Sequence, residues 1–178
     1  MKHRIPEATA PLEICWDKIG IPHIFAQNVE DAFRGMGYAC ASERLWQLHL
    51  SNLYATGTAA SAMGEKYVAQ DLMHRAFNVA AYDIPDSPGD YIVDAYLQGV
   101  NSYVDSLDEI PPEFLKAGTQ PRHYTRHDVA SRYRFTGWFQ HKTWLEKIYL
   151  GKLMATHGVD WFRNHVLRFS SADADNVA

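Results

Sequence analysis

The chain contains 178 residues, of which 47% are apolar and 21% are charged, a composition typical of a single globular domain. Its net charge of −4 provides no basic surface for nucleic acid, and no apolar run is long enough to span a bilayer. We therefore expect no nucleic acid and no membrane among its partners.

Two further features bear on the compartment. The two cysteines, Cys15 and Cys40, are too few for a disulfide framework but leave a single bridge open. The start Met-Lys-His-Arg is basic and has no apolar core behind it, so it lacks the pattern of a secretory signal. We expect a cytoplasmic protein, or a periplasmic or secreted one from which a leader was removed.

The first predicted elements are an arm and a β-hairpin. Residues 1–11 are predicted to form a loose arm. Leu12, Ile14 and Trp16 then alternate with other residues, as in a strand with one buried face, and a hairpin is predicted over about 12–26. A single hairpin is marginal in water, so either the helices of this chain or a partner chain must cover it.

The next segment has the periodicity of an amphipathic helix. Asn28 or the acidic pair Glu30-Asp31 can open it, because capping side chains and acidic first turns stabilise helix N-termini. Gly35 and Gly37 predict a bend or a close contact with another helix. An apolar stripe is formed by four residues spaced by three, four and three, namely Tyr38, Ala41, Leu45 and Leu48.

A short helical stretch between Gly57 and Gly64 and a connection at 83–89 come next along the chain. The strongest helical pattern follows at 93–107, where apolar residues recur at spacings of four, three, four and three. Pro111-Pro112 come after it as a stop signal.

Another helix is predicted from 128 to about 156. Thr125 can accept a backbone N–H as its cap, with Asp128 three residues on. Gly137 is expected to introduce a kink.

The chain closes with a shorter amphipathic segment at 161–169 and a small polar tail at 170–178 that we expect to be mobile. The apolar face of that segment consists of Phe162, Val166 and Phe169. The predicted fold class is α+β, a mostly helical domain over 12–169 with one N-terminal hairpin.

A series of short motifs resembles the penicillin acylase family. The stretch Asp-Lys-Ile-Gly-Ile-Pro-His-Ile-Phe-Ala at 17–26 is similar to the family's opening, and later motifs follow in family order as far as about residue 150. The later matches are Gly37-Tyr38 with 41–48, Gly57 and Gly64, Asp71 and Arg75, 95–103, 112–114, and 124–128.

This resemblance implies an N-terminal nucleophile (Ntn) hydrolase made as one precursor that cuts itself. The present chain corresponds to the small α subunit, which would complete an αββα sandwich with a larger β chain from the same precursor. The new N-terminal Ser of the β chain would be the nucleophile and its α-amine the base, so no catalytic residue is expected in this chain. The implied substrate is an N-acyl small molecule of the penicillin or cephalosporin type.

Several positions depart from the family pattern. Glu43 stands where Asp is usual, and Asn52-Leu53 stand where an Arg pair is common. Trp16 and Ser61 replace Arg and Glu. These departures leave open an acyl-homoserine lactone or other lipid-amide acylase subunit. The alternative of another class is a helical interaction module without catalysis.

Two contributions to the site are implied by the resemblance. Phe135, Trp138 and Phe139 correspond to the pocket wall, and the alternative for each is ordinary core packing. Glu146 corresponds to the α-chain ligand of a structural Ca²⁺ completed by the β chain, and the alternative is an exposed Glu paired with Lys142. No organic cofactor is implied.

Other polar residues are assigned to the scaffold. His23 is interpreted as hydrogen-bonded structure and Glu43-Arg44 as a structural ion pair. His123 and His127 have helical i, i+4 spacing, but without a third ligand nearby we do not expect zinc. Ser42, Ser51 and Ser170 lack the Gly-x-Ser-x-Gly context of a nucleophile elbow.

Overall fold

The computed structural model describes residues 5–80, 86–141 and 143–166. The chain divides into two compact units, Met1–Thr136 and Gly137–Ala178, and each is described by itself. Within the described residues, no helix combines the length and the hydropathy needed to cross a bilayer.

The described elements confirm the α+β class, a mostly helical chain with one N-terminal hairpin. The strands are β1 (Glu13–Trp16) and β2 (Pro22–Phe25). The helices are α1 (Val29–Thr56), α2 (Ala60–Met63), α3 (Val68–Ala76), α4 (Asp90–Asp105), α5 (Pro112–Ala117), α6 (Arg126–Gln140), α7 (Thr143–His157) and α8 (Val159–His165), with a 3-10 turn at Glu65–Tyr67.

The hairpin owes its shape to a polar turn and an apolar inner face. The Asp17 carboxylate accepts the backbone N–H groups of Ile19 and Ile21, both at 2.9 Å, which closes the turn. Ile14 pairs with Ile24 across the antiparallel strands and is completely buried beneath them against α1. The opening family motif therefore builds a turn, and the hairpin prediction is confirmed.

The segment before the hairpin is fastened to α1. Asn28 caps α1 by accepting the N–H of Asp31, whose own carboxylate accepts the N–H and hydroxyl of Thr9 and the N–H of Ala10. Ile5 is 3% exposed and belongs to the same core cluster as Ile14. The loose arm predicted for residues 1–11 is thus wrong for 5–11, because a buried carboxylate holds that segment; residues 1–4 lie outside the described part.

The main core forms where α1 crosses α4. A Cβ atom at Gly37 would lie 2.0 Å from the carbonyl oxygen of Tyr96, and one at Gly99 would lie 1.9 Å from that of Arg34. The two backbones therefore touch at glycines, which confirms the close contact predicted for Gly37. The bend in α1 lies instead at Arg44, whose φ and ψ of −139° and 26° are not helical. The core below this crossing contains Ala41, Leu45, Leu48, Leu97, Val100, Phe114 and Tyr124.

Helix α2 and its neighbour α3 are held by side chains rather than by an apolar stripe. Asp71 of α3 accepts the N–H groups of Ala59 and Ala60 at 3.0 and 2.7 Å, which caps the N-terminus of α2. The Nε atom of Arg75 donates to the carbonyl of Gly57 at 2.7 Å. The short helix between Gly57 and Gly64 is confirmed, whereas the sequence did not predict α3.

The roles of the Pro111-Pro112 pair and of Thr125 at the N-terminus of α6 differ from those predicted. Pro112 opens α5 as its first residue, so the Pro pair begins a helix and does not merely follow one. The hydroxyl of Thr125 donates to Asp128 at 2.9 Å instead of accepting an N–H. Asp128 in return accepts the N–H of Thr125 at 2.8 Å, which is the other half of a capping box.

The helix predicted over 128–156 is two helices. α6 continues through Gly137 and ends at Gln140, and the kink predicted at Gly137 stays a prediction. α7 begins at Thr143 after a turn at His141. α8 covers part of the predicted segment 161–169, with Phe162 and Val166 half-buried. The predictions for 83–85, Phe169 and the tail 170–178 lie outside the described residues.

Candidate functional site

Phe135 belongs to an aromatic cluster in the first unit. Its ring stacks on Tyr54 of α1 with centroids 6.2 Å apart and meets the His74 ring of α3 edge-on at 5.3 Å. The Nδ1 of His74 lies 2.7 Å from the carbonyl oxygen of Tyr54, which fixes the imidazole between the helices. Phe135 is half-buried, so its packing matches the core alternative while part of the ring stays accessible.

Trp138 and Phe139 belong to the second unit, near the end of α6. Trp138 is half-buried and Phe139 is 49% exposed. Side chains this apolar and this accessible can contact a ligand or another chain. Phe135 lies in the first unit.

Glu146 lies in the first turn of α7 and is exposed. Within the described residues, no group of three or more His, Cys, Asp or Glu side chains is arranged to hold a metal ion. Because Ca²⁺ takes six to eight oxygen ligands, Glu146 cannot form a site by itself. The predicted partner Lys142 lies outside the described residues.

Most residues that carry the family resemblance perform structural work. The Asn101 side chain donates to the carbonyl of Tyr124 at 3.0 Å and accepts its N–H at 2.8 Å, which clamps the chain just before α6. Tyr103 meets Tyr38 edge-on with ring centroids 5.5 Å apart, where α4 packs on α1. Phe114 is completely buried beside Trp46. These motif residues therefore stabilise the fold.

Two ion-pair clusters tie the start of α6 to the rest of the first unit. Arg122 donates to both carboxylate oxygens of Asp128 at 2.5 and 3.0 Å. Burial raises the pKa of Asp128, but hydrogen bonds from Arg122 and Thr125 outweigh it, so the pKa lies below the usual value. Arg126 donates to Asp94 and, at 2.6 Å, to Asp90 of α4. Both clusters position α6 and neither leaves an unpaired reactive group.

Where the structure describes them, the histidines and serines singled out in the sequence do not form a catalytic group. His123 precedes α6 and lies 2.6 Å from Asp105, so its predicted helical pairing with His127 is wrong. His23 lies 3.3 Å from Asp17, which agrees with a structural role. The hydroxyls of Ser42 and Ser51 donate to helix carbonyls, and Ser170 lies outside the described residues.

The ion pair predicted between Glu43 and Arg44 is wrong, and the disulfide that the sequence left open is not formed. Glu43 and Arg44 are both exposed, and no ion pair between them is present among the residues the structure describes. Neighbouring residues on a helix point apart, which explains the difference. Cys15 and Cys40 do not form a disulfide.

Sequence reasoning missed three buried polar side chains in the core of the first unit. His49 is 4% exposed and packs beside the rings of Trp46 and Phe114, with centroids 5.9 and 4.9 Å away. Burial and the nearby Arg122 hold its pKa below 6.5. Asn52 Oδ1 and the Tyr124 hydroxyl have no hydrogen-bond partner within the described chain and line a cavity of about 20 Å³. Because these positions depend on the packing of three helices, spacing alone carried no signal for them.

Comparison with known proteins assigns the family. The family model for penicillin amidase matches residues 11–171, so the chain belongs to the penicillin amidase family. A penicillin acylase 2 proenzyme of a Pseudomonas species is 30% identical over 122 residues, which are 66% of this chain. Penicillin G acylase of Escherichia coli is 28% identical over 134 residues, or 70% of this chain. An acyl-homoserine lactone acylase of Pseudomonas fluorescens is 29% identical over 118 residues, or 63% of this chain.

The chain covers a small part of its whole relatives but nearly all of one chain in a solved structure. The present chain spans only 16%, 16% and 15% of those three relatives. A chain of thermostable penicillin G acylase from Alcaligenes faecalis has the same fold, with a TM-score of 0.64 and 22% identity. That match covers 90% of this chain and 94% of the other.

Proposed function

We propose that this chain is the smaller subunit of a heterodimeric amide hydrolase that removes the acyl group from an N-acyl small molecule. The partner is a larger β chain from the same precursor. The N-terminal Ser of that β chain is the nucleophile, and its free α-amine takes up the hydroxyl proton as the oxygen attacks the amide carbonyl carbon. The C–N bond then breaks, the amine product leaves with that proton, and water hydrolyses the acyl ester to release the acid and restore the Ser. The present chain supplies scaffold and part of the acyl pocket.

The main support for this proposal is a comparison of two coverages. The chain accounts for about a sixth of its relatives, yet it covers 94% of a separate chain in the penicillin G acylase from Alcaligenes faecalis. The likeness to nearly the whole of that chain supports the subunit assignment. The structural use of Ser42 and Ser51 supports a nucleophile located elsewhere.

The hairpin offers a place for the partner's sheet. Among the described residues β1 and β2 form a two-stranded sheet, so each strand has an outer edge for a further strand. Phe25 of β2 is 61% exposed at the end of this hairpin. Extension of the sheet by the β chain is the arrangement that completes the αββα sandwich.

The accessible aromatic residues support an apolar acyl group. Trp138, Phe139 and Phe135 are uncharged and each leaves part of its ring exposed. Burying an apolar acyl chain against such rings is favourable, at roughly 25 cal/mol per Å². We assign these three residues to the acyl pocket of the assembled enzyme.

A panel of amides tests the assignment. The purified complex should hydrolyse phenylacetyl or fatty acyl amides in preference to glutaryl amides. Trp138→Ala should raise KM for the preferred amide roughly tenfold, since truncating a buried ring removes one to two kcal/mol of binding. The matched control Leu115→Ala, at an exposed site on α5, should leave KM unchanged. Preference for glutaryl amides would contradict the apolar pocket.

A second candidate substrate class is an acyl-homoserine lactone. Similarity to an acyl-homoserine lactone acylase over 63% of the chain favours it, at an identity close to that of the penicillin acylases. The two classes separate on their leaving amines. Faster turnover of a fatty acyl-homoserine lactone than of the same fatty acyl group on the amine of a β-lactam selects the second candidate.

We also propose Glu146 as one ligand of a Ca²⁺ shared with the β chain. Its carboxylate is exposed, and the remaining oxygens must come from the partner because Ca²⁺ needs several. Chelation should lower the melting temperature of the complex, and Glu146→Gln should remove most of that difference. Glu113→Gln, on α5, is the control. An equal effect of chelator on wild type and Glu146→Gln would contradict the assignment.

A further inference from the structure

Helix α7 carries apolar side chains around its whole circumference. At about 100° per residue, Leu145 and Met154 lie nine residues and therefore about 180° apart, on opposite sides of the helix. Other apolar residues fill the positions between them, so α7 has no polar face that could lie against water. They are Trp144, Ile148, Tyr149, Leu150 and Leu153.

These side chains are accessible in the isolated chain. No residue of α7, all of which is described, is buried, and Leu145 and Met154 are 56% and 42% exposed. α8 contacts α7 but has only seven residues, too few to enclose a helix of fifteen. The charged residues Glu146, Lys147 and Lys152 are spread around the same circumference and do not form one polar side. A helix with large apolar residues on every side buries them against other parts of a protein.

We propose that α7 is an interior helix of the assembled enzyme, enclosed on opposite sides by the larger chain of the same precursor. The inference rests on the proposed function and adds where that partner binds. A second copy of this chain would cover one side of α7 and leave the other in water. A larger chain can surround the helix, and about five sixths of the length of the relatives lies outside the part matched here.

Two charge insertions on opposite sides of α7 test the enclosure. The chain is produced together with the larger chain of its gene, and the complex is quantified by size-exclusion chromatography. Leu145→Glu and Met154→Glu should each lower the yield of complex at least tenfold, because a carboxylate on either side would be buried without a partner. Leu115→Glu, on exposed α5, should leave the yield unchanged.

The outcomes separate this inference from the proposed function. Two results would support enclosure. The glutamate variants should keep normal helical content by circular dichroism, and Leu145→Met and Met154→Leu should form the complex at wild-type yield. The loss of complex in the glutamate variants would then come from the interface. Wild-type yield in either glutamate variant would overturn the enclosure and leave the subunit assignment standing. Recovery of the wild-type chain alone, or paired only with itself, would overturn both.

Discussion

The carboxylate of Asp31 holds the N-terminal segment against the first helix. It is completely buried and accepts hydrogen bonds from Thr9, Ala10, Asn28 and Arg34. Burial opposes its charge, but the donors outweigh burial, and the pKa of Asp31 lies well below 3.8. Its stabilising contribution is therefore complete above about pH 3.8 and is lost as the pH falls through the lower folded pKa.

Replacing Asp31 tests this network. Asp31→Asn should lower the free energy of unfolding by about 3 kcal/mol, because the amide brings a donor to face donors and leaves Arg34 without its buried partner. The measurement is urea unfolding at pH 7. The control Asp105→Asn, an exposed carboxylate paired with His123, should cost under about 1 kcal/mol. Equal losses in the two variants would contradict the account.

His49 makes stability depend on pH in a separate range. Burial first, and then Arg122, lowers its pKa below 6.5, so the unfolded chain takes up a proton before the folded chain does. The contribution of His49 is complete above pH 6.5 and is lost as the pH falls from 6.5 through the folded pKa.

We expect the free energy of unfolding to fall between pH 7.5 and pH 5.5, and to fall less in His49→Gln. The exposed His123 is the matched control, and His123→Gln should keep the wild-type slope. Denaturant titrations at four pH values measure both slopes. A His49→Gln slope as steep as that of wild type would show that another group is responsible.

At the level of secondary structure, the α1–α4 crossing depends on two glycines. Gly99→Ala should lower the free energy of unfolding by about 3 kcal/mol, because the new methyl group meets the backbone of Arg34 and the helices must separate. Gly137→Ala in α6 meets nothing within 4 Å and should raise stability by up to about 1 kcal/mol. Thermal unfolding of both variants measures the contrast. Similar melting temperatures for the two would contradict the tight crossing.

The elements that the sequence predicted are those with an apolar period of their own. The hairpin and the helices α1 and α4 have alternation or a stripe, and all three are present. α3 depends on contacts of Asp71 and Arg75 with residues more than ten positions away, and α5 depends on a proline that can either end or begin a helix. The break between α6 and α7 falls at His141, where the sequence offered neither a glycine nor a proline.

For the whole molecule, the resemblance of motifs predicted the family correctly although most of those motif residues serve the fold. Asn101, Asp71 and Asp128 each satisfy backbone groups at a helix end or a chain crossing. The acyl-pocket residues Trp138 and Phe139 and the calcium ligand Glu146 stay predictions. Their roles depend on groups that another chain would supply, and the described contacts of this chain do not determine them.

The central claim is that this chain works as one part of a two-chain enzyme. The most direct measurement is to purify the native protein, determine its mass in solution, and sequence the N-terminus of any chain that accompanies it. The account predicts an equimolar complex with a longer chain whose first residue is Ser. A lone monomer of this chain with ordinary stability would contradict it and would favour the helical interaction module.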